Sequence, residues 1–410
     1  MILIKNGKIV FDNKLVNKDI LIENDKIVAV KDNIEASCDV IDASGCLVMP
    51  GAVDVHVHLR EPGFEHKETI KSGTNAAAKG GVTTLLSMPN LKPCPDNLEA
   101  LNLQKSLIEK DAVVNVYPFA AVTVNQEDKQ LADLNNLINE VYAISDDGRG
   151  VNNLELLKQA MIIAKENDKV IASHAEDNVY KYAPAGEYVA VRREIELAKE
   201  IGCKYHFCHM STVESFEAIR TAKALGYNNI TCEAAPHHLI LNEEMIKNPN
   251  WKMNPPLRSE ANRLATVNAL IDGTVDMIAS DHAPHTKEEK SLEYDKCPNG
   301  IIGIETMLPI VYSNFVKNGL ISLNRFLDLF VYNPTKIFKL PSRDINVGSI
   351  ADITILDIEN EHLYVEEEIL SKSINSPFIG MSFYGFPICT IVNGKIIYKK
   401  LGGNWWIIVN

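Results

Sequence analysis

The sequence predicts an α/β protein, a closed (β/α)8 TIM-like barrel with a small β-sandwich domain formed from both chain ends. Between residues 51 and 345, short apolar runs alternate with longer amphipathic stretches, the pattern of repeated βα units and a parallel sheet. Both ends of the chain are β-rich and fall outside an eight-strand count, so pairing them with each other is the economical arrangement.

Residues 1–50 are expected to form the N-terminal part of the β domain, with 19–23 and 26–30 flanking the polar pair Asn24-Asp25 as a hairpin. Barrel strands are expected at 53–58, 82–88, 113–119, 141–146, 169–174, 204–209, 229–234 and 276–281. Helices lie between them. In 154–164, Leu154, Leu157, Met161 and Ala164 recur at helical spacing and are expected to cover one face of the sheet. Two helical stretches follow residue 320, and 346–410 supply the C-terminal part of the β domain, on which the Trp405-Trp406 tail is expected to pack.

With 410 residues and 46% hydrophobic content, the chain can bury a barrel and an accessory domain. A net charge of −13 without a basic stripe excludes a nucleic-acid partner. No apolar run approaches the length of a membrane span, and residues 1–7 read as a strand rather than a signal peptide, so a cytoplasmic protein is expected. The eight cysteines form no Cys-x-x-Cys pair and read as reduced packing residues.

Barrel enzymes work at the C-terminal ends of their strands. His56 and His58 end the first predicted strand, where residues i and i+2 share a face and can grip one ion. Asp146 and Asp147 end the fourth, His174 the fifth, His209 the sixth and Asp281 the eighth. Singly, a strand-end aspartate caps a helix and a strand-end histidine satisfies a loop carbonyl. Four imidazoles and carboxylates converging on one mouth match the ligands zinc prefers. Arg60, one step past the first strand, offers a forked cation for a carboxylate; the alternative is a surface ion pair with Glu61 or Glu65.

The stretches Asp54-Val55-His56-Val57-His58-Leu59-Arg60-Glu61-Pro62-Gly63, Met88-Pro89-Asn90, Ser145-Asp146-Asp147-Gly148, His174-Ala175-Glu176-Asp177, Cys208-His209-Met210-Ser211-Thr212, Asn254-Pro255-Pro256-Leu257-Arg258 and Ser280-Asp281-His282-Ala283-Pro284-His285 resemble the bacterial class I dihydroorotases of the amidohydrolase superfamily. The resemblance runs almost end to end. It implies that His56, His58 and Asp281 hold one zinc ion and that His174 and His209 hold a second. Asp147 and a hydroxide are the implied bridges, with Asp146 as the substitute. Many relatives bridge with a carboxylated lysine, but residues 143–147 contain none.

The implied reaction is the reversible hydrolysis of the cyclic amide of L-dihydroorotate to N-carbamoyl-L-aspartate in pyrimidine biosynthesis. Asp281 would shuttle the proton, and Arg60, Asn90, Asn254 and His285 would bind substrate. A water between two such cations is expected to ionise near neutral pH. His237, His238 and His282 are expected as packing groups near the mouth, and the glycines of 297–303 as a loop approaching the ligand. The segment between His174 and His209 is shorter than is usual in the family. A homo-oligomer is expected, with aspartate transcarbamoylase as a candidate partner. The rival readings are a hydantoinase, dihydropyrimidinase or allantoinase, and a metal-free scaffold for the transcarbamoylase.

Overall fold

The computed structural model describes the backbone of residues 1–11, 14–401 and 404–407, and the side chains of residues 1–11 and 14–400. The Trp405 and Trp406 side chains lie outside the described residues, and with them the packing expected of the tail.

Eight strands build the barrel in chain order: Ala52–Val57, Val82–Ser87, Asn115–Pro118, Ala143–Ser145, Val170–Ser173, Lys204–Phe207, Ile230–Ala234 and Met277–Ile278. The first three pair in parallel, and so do the last five. Parallel bridges from Ala120 to Ile144 and from Val57 to His282 join the two groups and close the ring. Each predicted run therefore coincides with a barrel strand, the first shifted by one residue. The eighth keeps only two regular strand residues, and pairing resumes as the single bridge at His282, after Asp281 has turned into the left-handed region at φ 47°.

Helices cover the outside. The helix Leu154–Glu166 starts at Asn153, whose side chain accepts from the backbone N–H groups of Glu155 and Leu156, and it buries Leu157, Ala160, Met161 and Ala164. Leu154 does not join that face: it sits in the first turn, 38% exposed, and Ala160 takes its place in the buried stripe.

Inside the barrel, Val53, Leu86, Phe119, Ala143, Ala172, Cys208 and Met277 pack in one cluster, closed by Phe338 and Leu340. The seventh strand departs from this. Its inward positions are Thr231 and Glu233, both buried, while Ile230, Cys232 and Ala234 face the surrounding helices.

The chain ends share one nine-stranded sheet, in which Cys46–Pro50 runs antiparallel to Ile353–Asp357. The sheet folds back on itself as the two layers of a sandwich: Lys26 bridges Ile350, and Ile4, Ile20, Ile27, Ile353 and Ile391 share one core. All eight cysteines are free thiols, and seven are buried. No helix among the described residues is long and apolar enough to cross a membrane.

Candidate metal centre

The first barrel strand shifts register between Asp54 and Val57, and His56 and His58, two residues apart at its end, share one side. Their ring centroids lie 5.4 Å apart. Asp147, His174, His209 and Asp281 arrive from the ends of four other strands, so all six expected ligands meet at one mouth. Asp147 sits at the centre. Its Oδ1 lies 3.3 Å from His56 Nε2, 3.5 Å from His174 Nδ1 and 3.4 Å from His209 Nε2, and its Oδ2 lies 3.4 Å from His58 Nε2. Asp281 Oδ1 completes the cluster at 3.4 Å from His56 Nε2 and 3.2 Å from His58 Nε2.

Apart from the His58–Asp281 hydrogen bond at 3.2 Å, these separations suit ions better than direct hydrogen bonds. Two ligand atoms each about 2.0–2.1 Å from one tetrahedral ion stand roughly 3.3 Å apart. Hydrogen-bond chemistry agrees, since His56 Nε2 and Asp147 Oδ1 are buried without a hydrogen-bond partner, a costly state for a polar atom. Two triads could each hold an ion, His56 with His58 and Asp147, and Asp147 with His174 and His209; Asp147 is common to both. The donor set, imidazoles with carboxylates, fits zinc.

Burial opposes charge on Asp147, yet the His56, His174 and His209 imidazoles around it hold its carboxyl well below the usual carboxylate range. Burial likewise opposes charge on Asp281, and the His56, His58 and His209 rings hold its carboxyl below the ordinary value. Both are anions at neutral pH. Asp146 is turned away: its oxygens accept from Val122 N at 2.7 Å, Thr123 N at 3.2 Å and Thr123 Oγ1 at 2.5 Å. The structure thus gives Asp146 to the neighbouring loop and Asp147 to the cluster.

The sequence did not reveal Glu233. Its Oε1 lies 2.7 Å from His56 Nδ1 and accepts from His209 N at 3.2 Å, and its Oε2 lies 3.0 Å from His206 Nε2. This carboxylate fixes the ring of His56 so that Nε2 faces the cluster. Burial works against its charge, and the His56 and His206 imidazoles bring the carboxyl down to about 2. An acid inside an apolar strand was the available signal, because a buried carboxylate must be paired.

The four expected substrate residues lie around the same mouth. Arg60, at φ 64°, donates from Nε to Pro284 O at 3.2 Å, and its Nη2 lies 3.4 Å from His285 Nε2; neither Glu61 nor Glu65 is its partner among the described residues. Glu61 accepts instead from Ile70 N, and Glu65 from Gly63 N. Burial lowers the Arg60 guanidinium only to about 10, so it stays charged. His285 donates from Nε2 to Asn299 O at 2.8 Å and accepts at Nδ1 from Lys67 Nζ at 3.2 Å. Burial, then the Arg60 and Lys67 charges, push it down to about 2, so His285 is a neutral imidazole whose one N–H is given to Asn299 O. Asn90 donates to the Asp147 carbonyl at 2.6 Å, and Asn254 Nδ2 lies 3.0 Å from His174 Nε2. The Oδ1 atoms of Asn90 and Asn254 are buried and unpartnered, which leaves each an acceptor to offer.

Of the packing histidines, His238 donates to Pro255 O and His282 lies 3.4 Å from Glu68. His237 Nε2 is buried without a hydrogen-bond partner. The short segment after Asp177 becomes a single turn, Asn178–Tyr180, and then the helix Pro184–Ile201.

Residues 45–189 match a family model described as dihydro-orotase-like. The chain is 43% identical over 422 residues to the dihydroorotase of Staphylococcus aureus (strain N315), covering 97% of this chain and 99% of that protein. It is 44% identical over 424 residues to that of Staphylococcus epidermidis (strain ATCC 12228), covering 98% and 100%. Among solved structures it superposes on the L-hydantoinase (dihydropyrimidinase) of Arthrobacter aurescens with a TM-score of 0.90 at 26% identity, over 100% of this chain and 97% of that one. The D-hydantoinase (dihydropyrimidinase) of a Thermus species gives 0.88 at 26%, with the same coverage. Identity of 43–44% over nearly the whole length of proteins of one kind, joined to a barrel mouth carrying two triads of side chains able to hold a metal, places the chain in the dihydroorotase family of the amidohydrolase superfamily.

Proposed function

We propose that the protein is a zinc-dependent dihydroorotase, interconverting L-dihydroorotate and N-carbamoyl-L-aspartate. The observation that carries this reading is the charged Arg60 guanidinium beside the metal cluster with no acidic partner among the described residues. A ring bearing a carboxylate fits that corner; hydantoin and dihydrouracil bring no such group.

His56, His58 and Asp281 would hold one zinc ion, and His174 and His209 the other, with Asp147 shared between them. When bound, the pair polarises a carbonyl and brings an intervening water's pKa down to about 7. Asp281 enters as a carboxylate, able to take the attacking water's proton at Oδ and pass it to the departing ring nitrogen. Cyclisation uses the same groups in reverse. Arg60 meets the substrate carboxylate, with His285 held beside the guanidinium by Asn299 O and Lys67, and the free Oδ1 atoms of Asn90 and Asn254 accept from ring N–H groups. Residues 51–345 are the catalytic domain in this reading, and 1–50 with 346–410 the accessory one.

The test is a side-by-side assay of zinc-loaded protein with L-dihydroorotate, dihydrouracil, hydantoin and allantoin, alongside metal analysis. Turnover confined to dihydroorotate with about two zinc ions per chain is expected. Preference for an uncharged ring would move the chain to the hydantoinase reading, and folded protein that takes up no zinc would favour the scaffold.

A further inference from the structure

Lys290 lies next to the mouth, only 5% exposed, at the end of the short helix Lys287–Lys290 that follows His285. Among the described residues its ammonium meets no carboxylate. Its partners are three backbone carbonyls, Lys252 at 3.2 Å, Pro298 at 3.0 Å and Gly300 at 3.1 Å. Burying a cation this way is costly unless every proton is used, and here three N–H groups meet three acceptors.

The acceptors belong to the two rim segments that carry substrate contacts. Pro298 and Gly300 flank Asn299, whose carbonyl accepts from His285 Nε2. Lys252 stands two residues before Asn254, which meets His174. Gly300 N also donates to Lys252 O at 3.0 Å, so the two segments are tied at the same point. Gly300 has φ +139°, and a Cβ there would come within 2.6 Å of Ala283 O, so the loop approaches this closely only as glycine.

We propose that Lys290 is a positioning residue for substrate binding. Its ammonium gathers the 298–300 loop and the 252–254 segment so that His285 and Asn254 face the ring. The proposal deepens the dihydroorotase reading and rests on it. A neutral amine would keep two N–H groups and turn its lone pair toward the third carbonyl, so the grip is a property of the charged form.

Burial pushes Lys290 down to about 8; Cys297 and Glu289 oppose the push and Lys252 adds to it. Those are the titratable groups facing it from its own helix, from the 291–300 loop and from the 252 segment, while Asn375 brings only an amide, which donates to Gly300 O. The clamp is complete below that value and is lost as pH rises through it.

The experiment measures KM and kcat for dihydroorotate from about pH 7 to about pH 9.5 in the zinc-loaded wild type and in Lys290→Met, with metal content checked in both. Wild-type KM is expected to climb about tenfold across that range while kcat moves less than about threefold. Lys290→Met should begin with the raised KM at neutral pH and show no climb. A variant with the wild-type KM at neutral pH, or one whose KM climbs as steeply, overturns the proposal. Hydrogen exchange of 250–256 and 296–303 in the wild type, corrected for the intrinsic pH dependence, covers the case in which Lys290→Met does not fold. Protection of these segments should fall above about pH 8 relative to the barrel strands, and unchanged protection overturns the proposal. Should the zinc-loaded wild type fail to turn over dihydroorotate, the substrate reading falls, and the exchange measurement alone decides Lys290.

Discussion

Three residues of the site, Arg60, His209 and Asp281, sit in the left-handed region at φ 64°, 35° and 47°. Such backbone is costly for side-chain-bearing residues and persists where the surroundings hold it. Here it turns each residue off the end of its strand toward the mouth. Asp281 faces His58 and is the proposed proton carrier, so Asp281→Asn should lower turnover roughly 10²- to 10⁴-fold with the thermal transition retained. Wild-type rates in that variant would contradict the shuttle. Arg60→Ala should raise KM for dihydroorotate roughly 10- to 100-fold, with a much smaller effect on kcat, because one charge-assisted contact to the substrate carboxylate is gone. An unchanged KM would dismiss the clamp.

At the scale of elements, helices supply second partners that hold the strand ends in place. Glu187, in the helix Pro184–Ile201, accepts from Ser211 N at 3.0 Å, Thr212 N at 2.9 Å and Thr212 Oγ1 at 2.8 Å, which fixes the turn after His209 and the start of the helix Val213–Ala224. Burial opposes its charge, while Arg258 and these donors hold the carboxyl below its ordinary value. Glu187→Ala strands those N–H groups and the buried Arg258, and should cost about 3 kcal/mol in urea unfolding. A loss within experimental error would show that the contact is replaced by water. The barrel strands were legible because apolar runs between amphipathic stretches leave little choice, and the candidate ligands' meeting at one mouth because they sit at the ends of those runs. Glu187, Glu233 and Lys290 were not. Each acts through a partner distant in sequence, and spacing carries no information about what a buried charge will meet. Leu154 shows the complementary limit: periodicity identified the helix but not the point at which its first turn leaves the core.

At the scale of the whole molecule, the accessory domain depends on contacts between residues more than 300 positions apart. Gly394, at φ +75°, turns between Phe386–Val392 and Lys395–Leu401 against the N-terminal hairpin, where an added Cβ would meet Asn24 O at 1.8 Å. Gly394→Val combines backbone strain with this clash and should cost about 2 kcal/mol or more, read as a lowered thermal midpoint with the substrate KM unchanged. An unaltered midpoint would mean the two turns separate freely. The pairing of Cys46–Pro50 with Ile353–Asp357 also imposes a timetable on synthesis. A ribosome adding about 5–20 residues per second completes the first strand roughly 15–60 s before its neighbour emerges. Throughout that interval the edge of Cys46–Pro50 that will meet Ile353–Asp357 waits open and apolar, a surface on which a stranger's strand could pair.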